Sequence, residues 1–268
     1  MDISSNMLLI NRAGLTNALS SPFESPITQG QQAVKFVFDA IDAVRLHRSF
    51  VYEEMTGEEI DQEAFAEVKS TLFSLSNKVS NYSYLGSRPE RHILSMRLEA
   101  LSQNSDEQSL SKRLVVHGQT IRLLFFCCDC AVLRSLKGQE LSMTRYNEQW
   151  QTLMDTVDAL TQYRICISSV VQNGLRNPKL LVGRASNLLN KAKRFQDQGF
   201  SNQYTLDEAI ARLADSMHDL TKGEAISAPL LYLDTSFMSF ELIKVYKQIV
   251  RDQLNRCKNQ QYSGKMPA

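Results

Sequence analysis

Ala33, Phe36, Val37, Ala40, Ile41 and Val44, in the stretch AVKFVFDAIDAV from residue 33 to 44, recur at steps of three and four. That spacing returns apolar side chains to one face of a 3.6-residue turn, so it predicts an amphipathic helix with its stripe against a core. The pattern repeats at Ala64, Phe65, Val68, Leu72, Leu75 and Val79. Helical period dominates the rest of the chain, and 11 Gly and 6 Pro in 268 residues are too few for a turn-rich β fold.

Worked outward from that stretch, the spacing predicts helices over 28–50, 61–81, 89–103, 106–137, 144–172, 178–197, 205–222 and 229–258. Start signals accompany several of them. Ser87-Arg88-Pro89-Glu90 reads as a capping box with proline in the first turn, where its missing N–H does no harm. Ser105 with Gln108 and Thr205 with Glu208 read as further capping boxes, and Asn177-Pro178 and Ala228-Pro229 as helix entries. Gly118 weakens the middle of the 106–137 segment, which reads as one helix or as two. The fold class is all-α. A run of loop signals, Gln172-Asn173-Gly174-Leu175-Arg176-Asn177-Pro178, places a boundary near 172 between a larger helical-bundle domain, 1–172, and a smaller one, 173–268.

The charge balance changes sign at the same place. Residues 1–171 carry 16 basic and 20 acidic side chains, and residues 172–268 carry 14 and 9. From Ala159 to Gln196 there is no acidic residue, while Arg164, Arg176, Lys179, Arg184, Lys191, Lys193 and Arg194 fall in that span. Such a block suits anionic lipid headgroups or phosphate backbones, and several of its cations lie on a helix that also carries Leu180, Leu181, Leu188, Leu189 and Phe195. The plainer reading is a solvated face whose cations meet acids elsewhere in the fold. Without aromatic interleaving or a recognition-module signature, sequence-specific nucleic-acid readout is not implied.

Its counterpart is acidic. Glu53, Glu54, Glu58, Glu59, Asp61, Glu63 and Glu67 lie between Arg48 and Lys69 with no cation among them. Read plainly, these are acids favoured at a helix start. Read functionally, they meet the basic block of a second copy, a heterologous contact that builds open arrays.

Cys127, Cys128, Cys130, Cys166 and Cys257 are an odd set without disulfide-framework spacing, and no secretory signal is read at the N-terminus, which predicts reduced thiols in a cytosolic compartment. Cys127 and Cys130 share a helical face, but no second ligand pair is visible and buried thiols are the commoner case, so no metal is called. No cofactor loop or catalytic motif is present, the four histidines (47, 92, 117 and 218) are scattered, and neither an enzyme, a cofactor nor a small-molecule substrate is called. No stretch reads as long enough to span a bilayer, because Asp129 stops the apolar run Leu123–Cys128.

Ser25-Pro26-Ile27-Thr28-Gln29-Gly30, followed by Phe36-Val37-Phe38, resembles a segment of orthomyxovirus matrix proteins. Val116-His117-Gly118 with Ile121-Arg122-Leu123, and Asn177-Pro178 before a basic helix, are similar to later segments of that family and stand in the same order. The likeness is to the thogotovirus branch rather than to influenza. Influenza's Cys-Cys-His-His constellation has no equivalent here, and its Arg-Lys-Leu-Lys-Arg run meets Ser-Met-Arg-Leu-Glu at 95–99. The resemblance implies a viral structural protein of the virion that polymerises beneath the envelope, on the inner face of host membrane. It also implies contact with ribonucleoprotein, time spent in the host cytoplasm or nucleus, and a part in budding. The expected partners are thus the chain itself, anionic membrane lipids, and viral ribonucleoprotein or RNA bound without sequence preference. A second class of function stays open: a helical adaptor or effector that docks on a host protein through a stripe on 229–258, with Leu230, Leu233, Phe237, Phe240, Ile243, Val245, Tyr246 and Ile249.

Overall fold

Ser25 opens the first helix. Its hydroxyl accepts from the Thr28 N–H at 3.2 Å, and Pro26 takes the first helical position, where no hydrogen bond is lost. Helix α1 spans Pro26–Thr56 and ends at Gly57, whose φ of 81° lets its N–H turn back to the Glu54 carbonyl. The structure is a computed structural model that describes residues 25–103, 108–136, 140–173, 178–198, 206–222 and 227–263.

Asp61 caps α2 (Gln62–Lys78) by accepting from the Glu63 and Ala64 N–H groups at 3.0 Å. Two short 3₁₀ turns, Val79–Asn81 and Ser83–Leu85, lead to α3 (Arg88–Ser102). There the Ser87–Glu90 capping box forms in both directions, the Glu90 carboxylate accepting from Ser87 N–H at 2.6 Å. Helices α4 (Leu110–Ser135), α5 (Glu140–Asn173), α6 (Pro178–Gln196), α7 (Asp207–Lys222) and α8 (Ala228–Ser263) complete the chain. No strand occurs among the described residues, so the all-α reading holds. Some bounds differ from expectation: α1 runs on to Thr56 rather than 50, and α4 begins at Leu110 rather than 106, with Ser105 outside the described residues. Thr205, Arg176 and Asn177 also lie outside them. Of the two readings open at Gly118, one helix or two, the structure shows one unbroken α4.

Helix α4 sits at the centre, against α1 on one side and α5 on the other, with the α2–α3 hairpin closing over α1. Helix α6 packs on α5 and α7, and α8 returns across α5, α1 and α4. Buried side chains from Ile27 to Leu254 form one continuous core. By length and composition α4 is apolar enough to cross a membrane, contrary to the expectation that no segment is; half of its most apolar window is buried against its neighbours.

Candidate functional site

The seven cations of the basic block do not share one surface. Arg164 points inward from α5 and is 5% exposed; its Nε donates to Thr235 Oγ1 at 3.0 Å and its Nη2 to the Thr235 carbonyl at 2.6 Å. A guanidinium held there cannot reach a membrane or a phosphate, so its assignment to the binding surface is corrected. Its periodicity along α5 matches the buried Leu160 and Ile167, and the cause of its burial is α8 lying across it.

The other described cations lie on α6. Leu181, Ala185, Leu188, Leu189, Ala192 and Phe195 turn into the core, which leaves Lys179, Lys193 and Arg194 on the opposite, exposed side. Arg184 and Lys191, seven residues apart, share the flank nearest α5. Arg184 lies close enough to oppose the rise that burial imposes on the Cys166 thiol, and Lys191 Nζ is 2.7 Å from Asp155. Among the described residues no carboxylate lies within ion-pair distance of Lys179, Arg184, Lys193 or Arg194. Most of the apolar face of α6 is used in packing, with Leu180 left half exposed beside the cations. The outward side is mainly charged, which suits a peripheral, electrostatic contact with an anionic surface.

The acidic residues gather where α1 ends and α2 begins. Glu58, Glu59, Asp61, Glu63 and Glu67 are exposed, and Glu53 is half-buried, its carboxyl raised by desolvation and then by Glu58. Two of the set have structural work: Asp61 caps α2, and Glu54 lies 3.9 Å from Arg113. Glu58, Glu59, Glu63 and Glu67 stand in solvent around the α1–α2 junction and the start of α2.

Cys127 and Cys128 belong to the core, and Cys130 and Cys166 are partly buried. Cys127 and Cys128 are fully buried, and burial pushes the Cys127 thiol up to about 12 and Cys128 further. A thiol so disfavoured as thiolate is a poor metal ligand, and among the described residues no group of three or more His, Cys, Asp or Glu is placed to hold an ion. The Cys257 side chain lies outside those described.

One juxtaposition escaped sequence reading. His47 of α1 and His117 of α4 meet at 2.8 Å, Nδ1 to Nε2, at the wall of a cleft of about 560 Å³ between α1, α3 and α4. The His117 Nδ1 lies 2.7 Å from the Arg113 carbonyl, which only accepts, so that nitrogen carries the proton and Nε2 accepts from His47. The cleft's lining is otherwise apolar, amide or arginine, with no carboxylate, hydroxyl or thiol among its described residues. The only spacing signal was the 70-residue separation, which carries no periodic information.

The fold and this surface define a class: an all-helical protein with an outward basic face, a separate acidic corner and a closed core. Comparison with protein-family models, with curated proteins and with solved structures finds no match that narrows the class further.

Proposed function

We propose that the chain is a viral matrix protein, a non-catalytic structural module that assembles with copies of itself and attaches to anionic membrane and ribonucleoprotein through basic surface. The observation that carries this reading is the exposed, carboxylate-free set Lys179, Arg184, Lys193 and Arg194 on one helix, with exposed acids Glu58, Glu59 and Glu63 at the far end of α1. The resemblance of the 25–38, 116–123 and 177–178 segments supports the same class. Two domains, 1–172 and 173–268, belong to the proposal. Helices α6, α7 and α8 pack in sequence on one another, while α6 and α8 also pack on α5, so the two parts share one core. No step of this function needs an active site or cofactor.

Co-flotation with phosphatidylcholine vesicles, with and without phosphatidylserine, tests the reading. The protein should float only with the anionic lipid and should be released by salt, since the contact is screened beyond about 10 Å at 0.1 M. Reversing Lys179, Lys193 and Arg194 to Glu should abolish flotation and leave the helical content unchanged. Lys191 is spared because it holds Asp155. Wild-type flotation by that variant would remove the α6 face from the function.

A second reading rests on α8. Of the proposed stripe, Ile243, Val245, Tyr246 and Ile249 are buried in the core, but Leu230, Leu233 and Phe240 are 40–50% exposed, with Phe237 beneath the Arg212 guanidinium. That half of the stripe fits a docking adaptor. Such a protein would stay monomeric as salt falls, whereas a matrix protein would associate.

A further inference from the structure

Three arginines lie inside the fold where α1, α5 and α8 meet. Arg45, Arg48 and Arg164 are each less than 10% exposed. Within this group the one ion pair is Arg45 with Asp42, at 3.6 Å, and Asp42 is itself half exposed and shared with Lys247 at 2.8 Å. Arg48 makes no side-chain hydrogen bond and no ion pair within the described residues, and its Nε is sealed from solvent. Arg164 spends two nitrogens on Thr235, and both of those acceptors are neutral. Burial and then the neighbouring Arg48 charge push Arg164 down from the ordinary guanidinium range, and the same two causes, in the same order, bring Arg45 to about 10.

Guanidinium groups do not give up their protons in proteins, so this is buried positive charge with too little negative charge beside it. Arg48 and Arg164 both line a small, narrow-mouthed cavity of about 20 Å³. Ser239 of α8 also lines it, and its hydroxyl makes no hydrogen bond to a described residue. The remaining walls include Ile121, Phe125 and Leu160. The volume exceeds the roughly 10–15 Å³ that one water-sized guest occupies, and is far too small for a phosphate or a carboxylic acid. The site is rich in donors and poor in acceptors. A water there could give its hydrogens only to the Ser239 and Thr161 hydroxyl oxygens, and it would leave the charge uncompensated. A monatomic anion only accepts, tolerates apolar walls and carries the missing charge.

We propose that the cavity bounded by Arg48, Arg164 and Ser239 is a binding site for a halide ion, chloride in a cell, which ties α8 to α1 and α5. Each of the three donors comes from a different helix, so the ion acts as a rivet across the junction on which the C-terminal helix is seated. Chloride concentration then sets how firmly α8 is held.

The test uses the full chain. Thermal unfolding is followed in chloride, bromide or gluconate at one ionic strength, and crystals grown in bromide are measured for anomalous scattering. The expected result is a saturable rise of several degrees in Tm with either halide over gluconate, slower amide exchange in α8, and an anomalous peak between Arg48 and Arg164. Arg48→Met, close in shape and uncharged, should lose both the halide dependence and the peak. Equal Tm in halide and gluconate, with no bromide in the cavity, overturns the proposal; so does a halide dependence that survives intact in R48M. If R48M does not fold, the bromide map of the wild-type protein decides alone, and Ser239→Ala should weaken the halide dependence several-fold.

Discussion

The His47–His117 pair shows how much a single residue's surroundings decide. The hydrogen bond between them and the one from His117 to the Arg113 carbonyl hold both rings neutral, and the outer nitrogen of His47 is buried without a partner. Desolvation, then Lys69 and Arg113, lowers His47 from 6.5 to about 4; desolvation, then His47 itself, lowers His117 well below 6.5. In the unfolded chain both take a proton near 6.5, so below that pH the unfolded state binds more protons and stability falls as pH drops from about 6.5 toward 4. For His47 the loss is roughly 3 kcal/mol by pH 4. Asp129, raised to about 6 by burial, works in the opposite direction, because its proton is held more tightly in the folded state. The His contribution is therefore isolated by difference: urea unfolding of the wild type and of His47→Asn, which keeps a donor in the Nδ1 position, at pH 7.5, 5.5 and 4.5. The wild type should lose more stability than the variant between the first and last pH. Parallel curves would mean the pair does not titrate as its burial requires. The pair was not legible in the sequence, and of Arg164 only the helix face was, through its register with Leu160 and Ile167. Each depends on a partner about 70 residues away, His117 for His47 and Thr235 for Arg164, and helical period reports only the face of a residue's own helix.

At the scale of the element, the helices were almost wholly legible, because apolar spacing and caps are local. The Ser87–Glu90 box and the proline starts of α1 and α6 act within one turn. Gly118 is the instructive case. As a propensity it weakens a helix, which left one helix or two open; in the fold it is a place where α4 meets α5 closely. A Cβ at that position would stand 2.5 Å from Thr161 Cγ2 and 2.9 Å from its Oγ1. Thr161 cannot swing aside freely, since its hydroxyl donates to the Val157 carbonyl at 3.0 Å. Gly118→Ala should therefore destabilise by about 1–3 kcal/mol despite alanine's better helix propensity. Combining it with Thr161→Ala, which removes both crowding atoms, should restore most of that loss, whereas additive losses would place the glycine's role elsewhere. Helix α6 carries the same lesson in charge rather than volume. Its amphipathic pattern was visible, but only the packed structure shows that most of its apolar face is spent on α5 and α7, which leaves a mainly charged outer side.

At the scale of the whole molecule, what matters is that the basic face and the acidic corner lie on different elements, α6 and the α1–α2 junction, so neither neutralises the other within one chain. The opposed halves were readable from composition, but which charges remain for a neighbour was not. Lys191 is taken by Asp155, Glu54 by Arg113, and Asp61 by the start of α2, which leaves Lys179, Lys193 and Arg194, and Glu58, Glu59 and Glu63, exposed and without an ion pair among the described residues. If these bases of one copy meet these acids of another, association is open-ended, and sedimentation should show species growing as salt falls from about 0.5 M to 0.05 M, over which screening relaxes several-fold. Reversing the three acids to Lys, or the three bases to Glu, should each leave a monomer at low salt. Mixed in equal amounts, the two single-patch variants should co-assemble in alternation at low salt, because both patches of one are opposite in sign to both patches of the other. Reversing both patches in one chain recreates the complementarity with opposite polarity, and that six-fold variant should regain salt-sensitive growth. A double reversal that stays monomeric, while circular dichroism shows it folded, would mean that the charges act on something other than a second copy and would return the basic face to membrane attachment alone.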